Sequence, residues 1–285
     1  MTYVIKNEED IIERNIRFHA RYGVDAFLVV NHGSTDNTND ILAELKKEFD
    51  ITVHQKSDET WEQAKWATEA TIFAGSHLGA NWVINNDADE FWMPDENDQT
   101  IKNFLLRKQY IIQVNRFNML PTAPDIQDGT FWNFSWYVKH PILYALDVET
   151  DFKYGSYREL LYRQGDKIIV RPAGLVSINK GAHAAEHFGA MKQQPVKKLK
   201  IFHYPVRSYK TFEQRIIARK TYWERHQAPM GTHLRNWLKS AEQNSIQQLF
   251  DDSCITGEAL QMLQDFGVLA QNERLRQAVQ SSITS

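Results

Sequence analysis

A chain of 285 residues is long enough for one large domain or two modest ones, and 42% hydrophobic content can fill a substantial core, which excludes a disordered tail. With 24% charged residues and a net charge of -3, the composition gives no general attraction for nucleic acid or for an anionic membrane surface. One cysteine, Cys254, excludes an internal disulfide framework and a cysteine-based zinc cluster, and no stretch approaches the roughly 20 apolar residues of a membrane span. The start "MTYVIKNEED" carries no leader pattern, so the expectation is a soluble cytoplasmic protein without a transmembrane segment.

The first hundred residues alternate between two periods. "TYVIK" reads as a strand, and Ile11, Ile12, Ile16, His19 and Tyr22 then fall at helical spacing up to Gly23. "DAFLVVN" is a second strand; after it Asn37 is the expected N-cap of a helix whose apolar face is Ile41, Leu42, Leu45 and Phe49. "ITVHQK", a helix from about Thr60 to His77, and "NWVIN" complete the series. Strands alternating with helices in this way predict right-handed crossovers and an α/β fold with a mostly parallel central sheet. Ligands of such sheets bind beyond the carboxyl ends of the strands, where this chain places "KNEED", "NHGSTDNT" and "DADE".

From "QYIIQVNRF" onward strands joined by turns are expected, through "RELLYRQGDKIIVRP" with a hairpin at "RQGDK", then "GLVSIN" and "KLKIFHYP". After Tyr209 the pattern is helical to the polar end "SSITS". The organisation expected is a nucleotide-binding half over 1–97, an acceptor-binding half over 98–208 and a helical region over 209–285.

Within "NNDADEF", Asp87 and Asp89 leave a strand at a turn, where both carboxylates can bend toward one cation. Few hard oxygen ligands suit Mg2+ or Mn2+, which borrow their remaining ligands from water and phosphate. The alternative is a solvated acidic loop. In "NHGSTDNT", Gly33 permits a tight turn and Asp36 can accept hydrogen bonds from a base or ribose; the alternative is an ordinary capped turn. In "KNEED" the acidic residues also suit the positive end of a helix without any ligand.

"VIKNEEDIIERNIRFH", "VVNHGSTDNTNDIL" and "WVINNDADEFW" resemble the successive motifs of family 2 glycosyltransferases of the bacterial branch with a GT-A fold and an Asp-x-Asp-Glu-Phe signature. The resemblance covers residues 1 to about 94 and continues more loosely through "KIIVRP" and "IFHYPVRSYKTFEQRI". It implies a nucleotide-sugar site, with UDP-sugar as the expected donor. Asn7 and Glu8 would lie beside the nucleobase and ribose, Asp36 would hold the nucleoside, Asp87 would meet the ribose or sugar, and Asp89 would ligate the metal on the diphosphate. Asn31 stands where many members carry Asp, which weakens the usual uridine contact. His203 would be a third metal ligand or a diphosphate contact, with Arg207 and Ser208 close behind it in sequence; a structural role is the alternative.

Inverting transfer needs a carboxylate that takes the acceptor proton on the face opposite the leaving group. Glu186 lies where the family often has it, with Asp128, Asp151 and Glu159 in competition. His183 and His187 read as parts of a polar loop. Trp132, Trp136, Tyr137 and Tyr154 offer faces for an acceptor sugar, although core packing is the commoner use. The expected activity is metal-dependent, inverting transfer of a sugar from a nucleotide donor to a hydroxyl of a glycan or lipid-linked acceptor. The alternatives are a sugar nucleotidyltransferase, which the acidic "KNEED" disfavours, and a silent glycan-binding protein, which would not need the carboxylates that this chain keeps.

Overall fold

A computed structural model describes residues 1–57, 60–105, 108–122, 126, 130–143, 156–189, 196–226, 238, 241–243 and 245–283. Strands β1 (Thr2–Ile5), β2 (Phe27–His32), β3 (Ile51–Lys56) and β4 (Val83–Asn86) alternate with helices α1 (Ile12–Arg21), α2 (Thr38–Leu45) and α3 (Gln63–His77), close to where the apolar period puts them. Gly23, at φ 93°, takes the left-handed turn after α1 that a side chain would resist. α2 ends at Leu45, so Phe49 lies beyond it, and Asn37 supplies no side-chain cap. The cap comes from Asp36, whose Oδ1 accepts the Thr38 N–H at 3.0 Å.

The next strands are β5 (Glu90–Pro94), β6 (Ile111–Asn118), β7 (Trp136–Val138), β8 (Lys167–Val170), β9 (Leu175–Ile178), β10 (Ala185–His187) and β11 (Val196–His203). Eight of the described strands form one sheet in the order β3-β2-β1-β4-β8-β6-β11-β5. β3, β2, β1 and β4 run parallel. Beyond them β8 pairs antiparallel with both β4 and β6, and β11 pairs antiparallel with β5. The fold is the expected α/β class, a central sheet with flanking helices and further helices toward the C-terminus.

Two further expectations fail. No hairpin forms at "RQGDK": Ser156–Leu161 is a 3-10 helix, and only the second half of that stretch becomes a strand. The final helical pattern is also interrupted. Helices α4 (Tyr209–His226), α5 (Ile246–Asp251), α6 (Gly257–Asp265) and α7 (Glu273–Gln280) are separated before α7 by strand β12 (Leu269–Gln271). Gly267, at φ 67°, turns the chain out of α6, and β12 then pairs with β7.

The chain packs as two compact units, one of Met1–Arg116, Gly165–His203 and Ser281–Ser285, the other of Phe117–Gln164 and Tyr204–Gln280. In the first, Ile84, Trp92, Ile101, Ile112, Val114, Ile169, Leu199 and Ile201 form one apolar cluster on the sheet, and Trp66 and Ala70 of α3 pack on Leu28 and Val30 elsewhere. Burial of side chains of this size stabilises by about 1.5–3 kcal/mol each. In the second, Tyr209 and Phe212 of α4 close on Phe250 of α5, and Phe131 meets Tyr204 edge to face at 5.4 Å. Among the described residues no helix is long and apolar enough to cross a membrane.

Candidate active site

The loops leaving β1 and β2 close on one another. The Asn7 N–H donates to Ser34 Oγ at 2.9 Å and Asn7 Oδ1 accepts the Thr35 N–H at 2.8 Å, while the Glu8 N–H donates to Thr38 Oγ1 at 3.0 Å. Asp36 receives the Glu9 N–H on Oδ2 at 3.1 Å as well as the capping bond on Oδ1. Asn7 sits at φ 56°, in the left-handed region that Asn tolerates better than most residues. Asn31 is fully buried, with its amide donating to Asn39 Oδ1 at 2.8 Å and accepting the Ser34 hydroxyl at 2.6 Å. Asn7, Glu8, Asn31 and Asp36 are therefore brought together, but Asn31 and both oxygens of Asp36 are engaged in holding the loops.

The turn between β4 and β5 carries Asp87 and Asp89, and buried side chains far away in sequence fix it. Asn15 of α1 donates to the carbonyls of Ala88 and Glu90, each at 2.8 Å, and its oxygen accepts from Tyr3 Oη at 2.7 Å and Asn86 Nδ2 at 3.1 Å. Every polar valence of that amide is used. One turn later His19 Nε2 accepts the Trp92 N–H at 3.0 Å, and since the carbonyl of Asn15 can only accept, Nδ1 carries the proton. Burial pushes this imidazole down to about 3, so it stays neutral.

The two aspartates have different partners. Asp87 Oδ2 accepts from Lys167 Nζ of β8 at 2.6 Å, and Oδ1 accepts weakly from Gln63 Nε2 of α3 at 3.4 Å. Lys167 is completely buried and also lies 3.3 Å from Glu90 Oε2, while Arg116 Nη1 reaches Glu90 Oε1 at 2.7 Å. Two cations thus balance two carboxylates in a site with little water. Burial opposes the charge on Lys167, but Asp87 and Glu90 outweigh it and raise its pKa. Asp89 points instead toward His203 at the end of β11, with Oδ2 3.6 Å from Nε2. The β5–β11 register, which sets His203 opposite Glu90, brings them together.

Two ligands about 2.1 Å from one ion stand about 3 Å apart when adjacent and about 4.2 Å when opposite. The 3.6 Å between Asp89 and His203 lies inside that range. Among the described residues no cluster of three or more His, Cys, Asp or Glu is arranged to hold a metal. An ion shared by Asp89 and His203 would therefore need its other ligands from outside the described protein groups.

The remaining candidates are scattered. Glu186 lies exposed on β10, in a two-stranded ribbon with β9. His187 is structural, for Nδ1 accepts the Gly189 N–H at 2.9 Å and Nε2 faces the Arg171 carbonyl at 3.1 Å. In the second unit, Ser208 Oγ accepts the Thr211 N–H at 3.2 Å at the start of α4, and Arg207 is buried. Glu159 is largely buried there, and burial pushes its carboxyl up to about 7. Trp132 and Trp136 are half-buried, and Tyr137 is buried on β7. Asp128, Asp151 and Tyr154 lie outside the described residues.

Sequence reasoning missed Asn15, Glu90, Arg116 and Lys167. A lysine inside an apolar strand is the one local signal, since burial without a partner would be prohibitive. A cavity of about 10 Å³ beside Asp87, lined also by Gln63, Asn85, Asn179 and Gly181, brings a further loop to the site.

The model of glycosyltransferase family 92 matches residues 4–249 of the 285. The chain belongs to glycosyltransferase family 92. The family 2 resemblance of the motifs is thereby carried as far as a glycosyltransferase, and family 92 is the family matched. Among solved structures the chain is similar to S. aureus TarS 1-349, at 13% identity and TM-score 0.39, covering 88% of this chain and 70% of that one. It is similar also to the same protein in complex with UDP-GlcNAc, at 13% identity and TM-score 0.42, covering 99% and 86%. The UDP complex gives 14% identity and TM-score 0.39, covering 85% and 72%. No curated protein matches the chain.

Proposed function

We propose that this family 92 glycosyltransferase moves a sugar, with inversion, from a nucleoside-diphosphate donor, UDP-sugar first among them, to a hydroxyl of a glycan or lipid-linked acceptor. The observation that carries the reading is the approach of Asp89 and His203 beside the Lys167-bound Asp87, just beyond the carboxyl end of β4. A Mn2+ or Mg2+ ion held by Asp89 and His203 supplies neutralisation of the leaving diphosphate. Asp87, fixed by Lys167, presents its half-exposed carboxylate to the ribose or sugar hydroxyls. Asn7 and Glu8 line the nucleoside side, with Asp36 holding their loop and Asn31 beneath it. The protein's own contribution is positioning and charge stabilisation.

Calorimetry of UDP, UDP-glucose, UDP-galactose and UDP-N-acetylglucosamine, with and without Mn2+, tests this. Asp89→Asn is expected to abolish the Mn2+-dependent part of binding while the thermal melt is preserved, and His203→Ala to weaken it. Undiminished Mn2+-dependent affinity in Asp89→Asn would remove the metal site from this reading.

A further inference from the structure

The loop between β9 and β10 approaches the site from outside the three sequence motifs. Asn179, Gly181 and Ala182 line the cavity that Asp87 and Gln63 also line. Asn179 Oδ1 fixes the loop by accepting the N–H groups of His183 and Ala184, each at 2.8 Å. The ring of His183 then rests where two side chains are missing. A Cβ at Gly165 would come 3.1 Å from Nδ1, and a Cβ at Gly181, which sits at φ 77°, would come 2.7 Å from Nε2.

The ring's chemistry follows from one hydrogen bond. Nδ1 lies 2.8 Å from the carbonyl of Asp166, which can only accept, so Nδ1 carries the proton and Nε2 presents a lone pair. Among the described residues no protein group bonds Nε2, and the residue is half-exposed. Burial, ahead of the positive charges of Arg116 and Lys167, lowers the pKa below the ordinary histidine value, against the opposing Asp166 carbonyl and Glu90. The Asp166 carboxylate itself is bonded by Asn115 at 2.9 Å. A neutral imidazole, oriented by a carbonyl and packed on Gly181 of the loop that shares a cavity with Asp87, has what a proton acceptor needs. Glu186 lacks this: it is exposed, and nothing among the described residues orients its carboxylate.

We propose that His183, rather than Glu186, takes the proton of the acceptor hydroxyl at Nε2, an inference that rests on the transferase reading above. As the acceptor oxygen bonds to the anomeric carbon, the bond from that carbon to the diphosphate breaks, and its electron pair leaves with the nucleoside diphosphate. The hydroxyl proton passes to Nε2, and the imidazolium returns it to water after product departs.

The test uses the full chain, the UDP-sugar that the wild type turns over most rapidly, and alkyl glycosides as acceptors. His183→Gln is expected to lower kcat by about 10²–10⁴-fold, the usual scale for a general base, with donor Kd and the thermal melt near those of wild type. The fall of wild-type kcat toward acid pH should be missing from the residual activity. Gly181→Ala, which crowds Nε2 without removing the imidazole, should lower kcat in the same sense, and Glu186→Gln should leave it near wild type. Near-normal turnover in His183→Gln, or loss in Glu186→Gln alone, overturns the proposal while leaving donor binding and the transferase reading intact. A wild type that binds no nucleotide or nucleotide sugar overturns both.

Discussion

The loops after β1 and β2 close on one another through hydrogen bonds among largely exposed or half-buried residues, whereas the turn between β4 and β5 rests on side chains that water does not reach. In the first region Asn7, Glu9, Ser34 and Asp36 exchange bonds with nearby backbone N–H groups, each of which water could replace at modest cost. In the second, Asn15, Glu90 and Lys167 are completely buried, and loss of any one strands its partners in a medium of low dielectric. The first arrangement can adapt to a ligand. The second holds two carboxylates at fixed places before a ligand arrives, which is what charge stabilisation in catalysis requires.

The sharpest way to break this contrast is Lys167→Met. Asp87 and Glu90 would lose their shared cation, and because Lys167 and Glu90 are fully buried the expected cost is about 3–5 kcal/mol, read from the denaturant midpoint. A loss under about 1 kcal/mol would mean that the cluster is open to water. Asn15→Leu keeps the volume and removes four hydrogen bonds, so about 2–3 kcal/mol should be lost, together with the order of the Asp87–Asp89 turn.

His19 gives the contrast a pH signature. Its pKa is depressed to about 3 in the folded chain against an ordinary value of 6.5, so below 6.5 the unfolded state binds a proton that the folded state refuses. The stability due to its neutral form is present above pH 6.5 and is lost as pH falls toward 3, at a limiting slope of about 1.4 kcal/mol per pH unit. Between pH 6.5 and 5.5, urea titrations of wild type and His19→Gln should differ in pH dependence by about 1 kcal/mol, and an equal dependence in both would place the proton elsewhere. Smallest of all, Asp36→Ala removes the cap of α2 and should cost about 1 kcal/mol. A loss as large as that of Lys167→Met would erase the distinction between the two regions.

Much of the first region was legible because the elements that carry it follow local periods. Strand and helix periods placed β1 to β4 and α1 to α3, and the polar residues at the strand ends fell where the parallel topology brings them together. Asn37 holds the N-cap position as expected, but the side-chain bond at that end comes from Asp36, and only geometry separates adjacent candidates for it. β5 was missed because "EFWMP" follows an acidic turn and shows no alternation; all five of its residues are buried. The helical reading of the C-terminal stretch missed β12, whose three residues form a strand only through pairing with β7.

The sequence by itself determined the alternation of strand and helix, the parallel half-sheet and the placing of two aspartates at one strand end, since side-chain period and turn chemistry act over a few residues. Only the tertiary structure decided what each aspartate does. Lys167 reaches Asp87 from 80 residues away, and His203 reaches Asp89 through the pairing of β11 with β5. Nothing local in the chain distinguishes the two carboxylates. Their difference arises because folding buries one cation beside the first and brings one imidazole near the second.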